Sequence, residues 1–218
     1  MHQENLSTPL IVDASSSVIQ VGIANTSGWE EVASSESPAL NGVFETVSKL
    51  IKNSNLKFTE IDAIFFCAGP GSTLGLRLTL AFIKTLKWEV GKKLKLFSYN
   101  ALDLAACMSS KKDFFIQAPF RMGWRIVRIE RSDSPIGKKI ILETKDALKD
   151  YPKSIHLKDQ RKNAKDINLN QFLDYDIRSV KGLKDLLPIS EEKDGLEVYN
   201  PKPPSFKKWR PNIDFLKP

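Results

Sequence analysis

Apolar runs in the first third of the chain predict four strands. Residues 10–14 form a short apolar run, and residues 18–24 alternate apolar and polar side chains after a serine turn. This pattern predicts a β-hairpin, and residues 29–34 add a third strand after Gly28. A further apolar run at residues 61–67 is typical of a buried strand.

Two helices are predicted on either side of that buried strand. The first covers residues 40–51, where apolar side chains recur at intervals of three and four along one stripe. The second covers residues 74–90 and has two apolar stripes. These stripes consist of Leu74, Leu78, Ala81 and Phe82 on one side and of Leu76, Leu80, Ile83 and Leu86 on the other. A helix that is apolar on two sides must be covered on both. We expect one side to pack on the sheet and the other on the first helix, a second lobe or another protein.

The order of these elements predicts the fold class α/β. A strand at residues 94–99 and a short helix at 101–108 complete the order of a ribonuclease H-like lobe. We expect two ribonuclease H-like, actin-like lobes with mixed sheets and flanking helices, the second lobe being reduced. The first lobe is assigned to residues 1–110, the second, basic lobe to 111–199, and a strap rich in Pro and Lys to 200–218.

The second lobe gives a weaker pattern. Strands are predicted near residues 114–118, 124–129 and 139–142. The later apolar residues are sparse and are interpreted as helical, first around 169–173 and then around 180–187. The predicted organisation of this lobe therefore depends on three short strands.

Positive charge is concentrated away from the N-terminal part. The net charge is +7, yet residues 1–75 contain 3 Lys and Arg against 8 Asp and Glu, a net of −5. The segment 145–165 alone holds 7 basic and 3 acidic side chains. Such a patch attracts polyanions by counterion release, and Lys158, Arg161 and Lys162 are candidate tRNA contacts. A solvated basic face is the alternative.

The residues that usually carry catalysis or bind metals are sparse. The two histidines, His2 and His156, have no partner at metal-ligand spacing, and the two cysteines lack the C-x-x-C pattern. Asp13, at the end of the first strand, could hold a cation, although such residues more often cap turns. We expect no catalytic residues and no metal. No apolar run approaches the roughly 20 residues that span a bilayer, and residues 1–8 lack a signal-peptide pattern, so a cytoplasmic location without membrane attachment is expected.

The strongest local motif is a glycine-rich turn between the buried strand and the second helix. Its residues, 68–77, read A-G-P-G-S-T-L-G-L-R. Glycines allow a sharp turn and close approach of another backbone or a phosphate. The spacing differs from a P-loop, which needs Lys and Ser or Thr after its last glycine. A structural turn is favoured over a ligand site, and both alternatives stay open.

This motif resembles the signature G-P-G-S-F-T-G-L-R of bacterial TsaB proteins, in the glycoprotease-like branch of the actin/Hsp70 superfamily. The matching signature residues are Gly69, Pro70, Gly71, Ser72, Gly75, Leu76 and Arg77. Asp13-Ala14-Ser15 resembles the family's D-T-S strand end, and Arg121-Met122-Gly123 resembles its D-A-R-M-G-E-V-Y hairpin. The similarity extends from about residue 10 to 124, and beyond residue 129 the chain diverges.

The resemblance implies a non-catalytic scaffold in the formation of threonylcarbamoyladenosine in tRNA. Its implied partners are a TsaD-like subunit, which holds the metal, and a TsaE-like ATPase, with tRNA contacted indirectly. It implies no cofactor for this chain, a nucleotide being bound only at an interface shared with the partner. A homodimer where the partner is lacking stays an open alternative. The family's heterodimer forms through the two first-lobe helices, which gives as interface residues Leu40, Val43, Phe44, Val47, Leu50, Leu76, Leu80, Ile83 and Lys84.

Two other functions are compatible with the sequence. The first is a small-molecule kinase or ATPase of the same superfamily, with Asp13 and the glycine turn at the nucleotide. It is disfavoured because no second phosphate loop rich in Asp and Gly follows residue 114. The second is a basic RNA-binding module. It is disfavoured because the chain lacks the interleaved aromatic residues of recognised RNA-binding motifs.

Overall fold

The computed structural model describes residues 6–90, 94–109, 115–158 and 171–196. They form two mixed sheets with helices on their faces, so the predicted α/β class is confirmed. The predicted strap at 200–218 lies outside the described residues.

The first sheet has six strands in the spatial order β10-β5-β4-β1-β2-β3. Its strands are β1 (Pro9–Asp13), β2 (Ile19–Ala24), β3 (Trp29–Ser35), β4 (Ala63–Gly69), β5 (Lys95–Asn100) and β10 (Ser190–Glu192). Strand β4 pairs in parallel with both β1 and β5, whereas β2, β3 and β10 run antiparallel to their neighbours. The five strands predicted for the first lobe, near residues 10–14, 18–24, 29–34, 61–67 and 94–99, are therefore all present.

Five α-helices occur in the described residues. They are α1 (Ala39–Asn53), α2 (Thr73–Val90), α3 (Ala101–Met108), α4 (Thr144–Asp150) and α5 (Leu183–Ile189). In this part of the chain none is long and apolar enough to cross a bilayer.

Both faces of the first sheet are covered, which explains why its central strands are apolar throughout. In β1, Leu10 and Val12 point toward the core under α1 and α2, while Ile11 points toward the core under α3 and α5. Successive strand residues alternate between faces, so every residue of β1 is buried. The sheet therefore carries two separate apolar cores.

The C-terminal part of the described chain returns to the first lobe, which the sequence did not predict. Strand β10 pairs with β5, with Ser190 opposite Tyr99, and α5 packs in the core shared by β1, β4 and β5. Gly182, just before α5, lies against the backbone of Asn25 and Gly28. The assignment of residues 111–199 to the second lobe is thus wrong for α5 and β10.

The second sheet has four strands in the order β8-β7-β6-β9. They are β6 (Ile116–Arg121), β7 (Trp124–Arg131), β8 (Ser134–Glu143) and β9 (Ile155–His156). Gly123, with φ of 75°, forms the turn of the β6–β7 hairpin, the motif that the family resemblance had singled out. All three strands predicted for this lobe are present, and β8 starts five residues earlier than expected.

The helical interpretation of residues 169–173 is wrong in its described part. Residues 171–176 are not helical, and Phe172 bridges to His156 of β9 as in a short parallel ladder. The second predicted helical stretch is confirmed in part, since α5 occupies Leu183–Ile189. Helix α4 was not predicted from the sequence. It lies at the start of the basic segment, and its seven residues are too few and too charged to show an apolar pattern.

A buried group of charges joins the two lobes. Asp103 of α3 is 1% exposed, and its Oδ1 accepts from Nε of Arg128 at 2.8 Å and from the backbone N–H of Gly137 at 3.0 Å. Its Oδ2 accepts from the ammonium group of Lys139. One carboxylate thereby pairs with two cations, one from β7 and one from β8, and these bonds attach α3 to the second sheet.

Candidate functional site

The glycine turn joins β4 to α2 and packs against the turn between β1 and β2. Gly69 has a φ of 120°, a backbone conformation that favours glycine. The N–H of Ser72 donates to the carbonyl oxygen of Ser15 at 2.7 Å, and the Ser72 hydroxyl accepts from the N–H of Gly75 at 3.3 Å. Pro70 is buried. The turn is thus held by the chain's own backbone.

Two glycines of the signature have no room for a side chain. A Cβ at Gly71 would overlap the backbone of Ser15, and a Cβ at Gly75 would overlap the carbonyl oxygen of Ala14. Glycine is needed where two backbones approach so closely. This geometry supports the structural-turn alternative: the signature sets α2 directly on the β1–β2 turn.

The carboxylate of Asp13 is enclosed by donors from the chain itself. Its Oδ1 accepts from the N–H of Ser15 at 2.8 Å, and its Oδ2 accepts from the hydroxyls of Tyr99 at 2.7 Å and Tyr175 at 2.8 Å. Burial, and then the charge of Asp13, raise the pKa of both tyrosines well above the ordinary value. The tyrosines therefore stay neutral donors. Asp13 is engaged as a structural acceptor, which weighs against the kinase or ATPase alternative.

A cleft of about 310 Å³ lies between the lobes beside the glycine turn. It is lined by Ser15, Ser16, Ser17, Val18, Pro70, Gly71, Ser72, Thr73, Ala118, Pro119, Phe120, Leu157, Lys158, Leu173, Asp174 and Tyr175. Lys158, a candidate tRNA contact, is exposed at its rim, whereas Arg161 and Lys162 lie outside the described residues. In the described ranges no three His, Cys, Asp or Glu side chains are grouped to hold a metal ion.

Residues 173–177 span this cleft and attach to both lobes. The N–H of Leu173 donates to the carbonyl oxygen of His156 in the second lobe at 3.0 Å. In the first lobe, Nε2 of Gln20 donates to the carbonyl oxygen of Tyr175 at 2.7 Å. Oε1 of the same side chain accepts from the backbone N–H of Ile177 at 2.8 Å. Together with the Tyr175–Asp13 bond, these contacts hold one side of the cleft closed.

A buried polar network lies beneath α4 in the second lobe. Nε of Arg125 donates to the side-chain oxygen of Gln117 at 2.9 Å, and a second guanidinium nitrogen lies 3.1 Å from Nδ1 of His156. The Gln117 amide donates to the hydroxyl of Ser154 at 2.8 Å. Burial, and then the charge of Arg125, lower the pKa of His156 from 6.5 to about 4. His156 is therefore a neutral structural residue at neutral pH.

We expect this histidine to make folding sensitive to mild acid. Its pKa is lower in the folded chain, so the unfolded chain binds the extra proton as the pH falls from 6.5 towards about 4. The neutral histidine therefore contributes its full share of the free energy of unfolding above pH 6.5, and this contribution is lost as the pH falls towards about 4. Urea unfolding at several pH values should show a shallower decline for His156→Gln, and equal slopes for both proteins would contradict the assignment.

The helix pair α1–α2 buries most of the residues predicted to contact a partner. Six of the nine are 0–8% exposed and belong to the chain's own cores; they are Val43, Val47, Leu50, Leu76, Leu80 and Ile83. The prediction that these six face a partner is corrected accordingly. Leu40, Phe44 and Lys84 are exposed, as an interface requires.

The outward surface of the helix pair carries a different apolar stripe, which we call the helix-pair face. Leu40 is 64% exposed and Leu74 58%, and Trp88, near the end of α2, is 86% exposed. The exposed Ala81 lies between the last two at heptad spacing. Phe44 joins the helices, since its ring packs edge-on against Phe82 with centroids 5.5 Å apart. Of the predicted α2 stripe that starts at Leu74, only Leu74 and Ala81 are exposed, whereas Phe82 is buried and Leu78 packs against the core.

Sequence reasoning missed Trp88 as an exposed residue, although a signal for it was present. Leu74, Ala81 and Trp88 are spaced seven residues apart, so they lie on the same face of the helix. Large exposed apolar groups arranged contiguously on a soluble protein usually mark an interaction surface.

Comparisons with known proteins agree with these features. The family model described as "TsaD: tRNA N6-adenosine threonylcarbamoyltransferase" matches residues 40–114, which are 75 of the 218 residues. A comparison with curated proteins found no significant match.

Among solved structures, YeaZ from Pseudomonas aeruginosa superimposes with a TM-score of 0.56 at 15% identity, covering 84% of this chain and 90% of that one. A second, described as an uncharacterized protein with similarity to peptidase YeaZ from the same organism, gives a TM-score of 0.54 at the same identity and coverage. The chain therefore has the fold of YeaZ, and its residues 40–114 are similar to the TsaD family.

Proposed function

We propose that this chain is a non-catalytic partner subunit of the complex that forms threonylcarbamoyladenosine in tRNA. In this proposal it binds a TsaD-like subunit through the helix-pair face, and the partner supplies the metal and the chemistry. A TsaE-like ATPase completes the system, tRNA is contacted indirectly, and a nucleotide is held only at an interface shared with the partner. The location is cytoplasmic. The YeaZ fold and the match to the TsaD family model support this role.

The observation that carries the proposal is the exposed apolar surface of the helix-pair face. A lone helix packed on a sheet hides its apolar residues, yet Leu40, Leu74 and Trp88 remain exposed on two adjacent helices. Two such helices fit a matching pair on a partner as in four-helix packing. Exposed Trp residues are enriched among those that contribute most to binding.

Substitution at this face should therefore weaken the complex without unfolding the chain. We expect Trp88→Ala to raise the dissociation constant for the TsaD-like subunit of the same genome by about 30-fold, equivalent to about 2 kcal/mol, as is usual for a Trp that contributes strongly to binding. Leu74→Glu should abolish detectable binding, because it buries a charge. Isothermal titration calorimetry measures both effects, with circular dichroism to verify folding.

Met122→Ala is the matched control, because Met122 is 89% exposed but lies on the β6–β7 hairpin of the second lobe. It should bind as the unchanged chain does. In cells depleted of the chain, mass spectrometry of tRNA should show loss of threonylcarbamoyladenosine, restored by the Met122→Ala variant and not by Leu74→Glu. A normal level of the modification in the depleted cells would overturn the proposed function.

A further inference from the structure

The cleft between the lobes has one apolar wall and one wall of hydroxyl groups. The apolar wall includes Phe120, Leu157 and Leu173, which are half-buried and pack on the core between α3 and the second sheet. At about 310 Å³ the cleft is at the lower end of the size range of small-molecule sites. The hydroxyl wall belongs to the first lobe and consists of Ser15, Ser16, Ser17, Ser72 and Thr73.

The hydroxyl wall is poorly suited to a phosphate. The N–H of Ser72 donates to the carbonyl oxygen of Ser15, and the N–H of Gly75 donates to the Ser72 hydroxyl, so neither amide is available to an anion. The buried carboxylate of Asp13 lies behind this wall, where it accepts from the N–H of Ser15 and from the hydroxyl of Tyr175, a residue that lines the cleft. A carboxylate at this place repels a polyanion. These features disfavour a nucleotide as the ligand of the cleft.

The lining of the cleft carries one charge of each sign. Of its residues in the described ranges, Lys158 and Asp174 are the charged ones, and both are exposed. They lie in adjacent chain segments, each two residues beyond the parallel bridge between His156 and Phe172. A ligand with a single charge would be attracted by one of these two side chains and repelled by the other. A small molecule that carries both charges is attracted by both.

We propose that the cleft binds a free α-amino acid with a large apolar side chain. The side chain packs on Phe120 and its apolar neighbours, and the α-ammonium group donates to the carboxylate of Asp174. The carboxylate of the ligand is bound by Lys158, whose ammonium group has three donors and can bond a ligand in addition to a contact within the chain. The hydroxyls of Ser17 and Thr73 supply further hydrogen bonds to the polar end of the ligand. This site is independent of the proposed function, which uses the helix-pair face.

Isothermal titration calorimetry of the full chain with L-phenylalanine and two analogues tests the proposal. Phenethylamine is the same molecule without the carboxylate, and 3-phenylpropanoate is the same molecule without the ammonium group. We expect L-phenylalanine to bind with a dissociation constant on the order of 0.1 mM, which a ligand of this size can reach. Each analogue should bind about tenfold more weakly, because it loses one charge-assisted hydrogen bond. ATP should show no measurable binding to the isolated chain.

Variants at the cleft assign each charge of the ligand to a side chain. Asp174→Asn should weaken the binding of L-phenylalanine and phenethylamine about tenfold without weakening that of 3-phenylpropanoate. Lys158→Gln should weaken L-phenylalanine and 3-phenylpropanoate without weakening phenethylamine. Phe120→Ala should weaken all three, because each places its ring on the apolar wall. Lys153→Gln is the matched control and should leave binding unchanged, since Lys153 is exposed in the same segment as Lys158 and is not among the residues that line the cleft.

Any of four results would overturn the proposal. The first is the absence of binding by L-phenylalanine, L-leucine and L-methionine alike. The second is equal binding of L-phenylalanine and its two analogues, which would mean that the cleft accepts any apolar ring. The third is binding of L-phenylalanine that neither Asp174→Asn nor Lys158→Gln weakens. The fourth is ATP that binds the isolated chain and displaces L-phenylalanine, which would favour the kinase or ATPase alternative.

Discussion

Replacing Asp103 by alanine is expected to lower the free energy of unfolding by about 3–5 kcal/mol, one of the largest effects of any single change in this chain. The carboxylate is 1% exposed and is the group that Arg128 and Lys139 share. Its removal leaves the buried Arg128 guanidinium without its carboxylate partner and the N–H of Gly137 without an acceptor. Urea unfolding at pH 7, followed by tryptophan fluorescence, measures the change.

Asp133→Ala is the control for this prediction, since Asp133 pairs with Arg131 at 2.7 Å on the surface. Exposed ion pairs contribute little to stability, so this variant should unfold close to the unchanged protein. Similar losses for Asp103→Ala and Asp133→Ala would show that the buried group contributes no more to the union of the lobes than a surface pair does.

Gly75→Ala is expected to destabilise the chain by about 3 kcal/mol, at or beyond the upper end of the usual cost of overpacking. The added Cβ would overlap the carbonyl oxygen of Ala14, which is backbone and has no rotamer by which to move away. Helix α2 would have to shift from the β1–β2 turn, and the sheet contacts of its first turns would loosen. Thermal and urea unfolding both report the loss.

Gly195→Ala is the matched substitution, because nothing lies within 4 Å of a Cβ at that position and its φ is not in the left-handed region. It should be neutral or slightly stabilising, since alanine restricts the unfolded chain more than glycine does. A Gly75→Ala variant as stable as Gly195→Ala would mean that the signature glycine has no structural role. The alternative that the glycine turn binds a ligand would then be favoured.

The sequence predicted the local elements of the first lobe well because their signals are local. Helix α1 has one dominant periodicity, and β1 is a short apolar run that ends at a serine turn. For α2 the spacing gave two stripes, but it held no information on which of their residues the sheet and α1 would bury. The choice of Leu76, Leu80 and Ile83 as partner contacts failed for that reason.

The parts that sequence reasoning missed depend on contacts between distant residues. Nothing near Ser190 indicates that it pairs with Tyr99, because antiparallel pairing is decided by the whole sheet. The Asp13 cluster is of the same kind, since Tyr175 is 162 positions away in the chain. Asp103 did give a local signal. A lone acid inside the apolar run 101–105 is unusual, and a buried carboxylate needs cationic or hydrogen-bonding partners.

The return of α5 and β10 to the first sheet has a consequence during synthesis on the ribosome. Residues 6–109 include five of the six strands of that sheet, yet the edge of β5 and the apolar surface of α3 stay uncovered until residues 183–192 have left the exit tunnel. The N-terminal lobe is therefore exposed as an incomplete sheet while the second lobe is being translated. We expect nascent chains that end near residue 150 to be recognised by chaperones, and release from them to coincide with the emergence of β10.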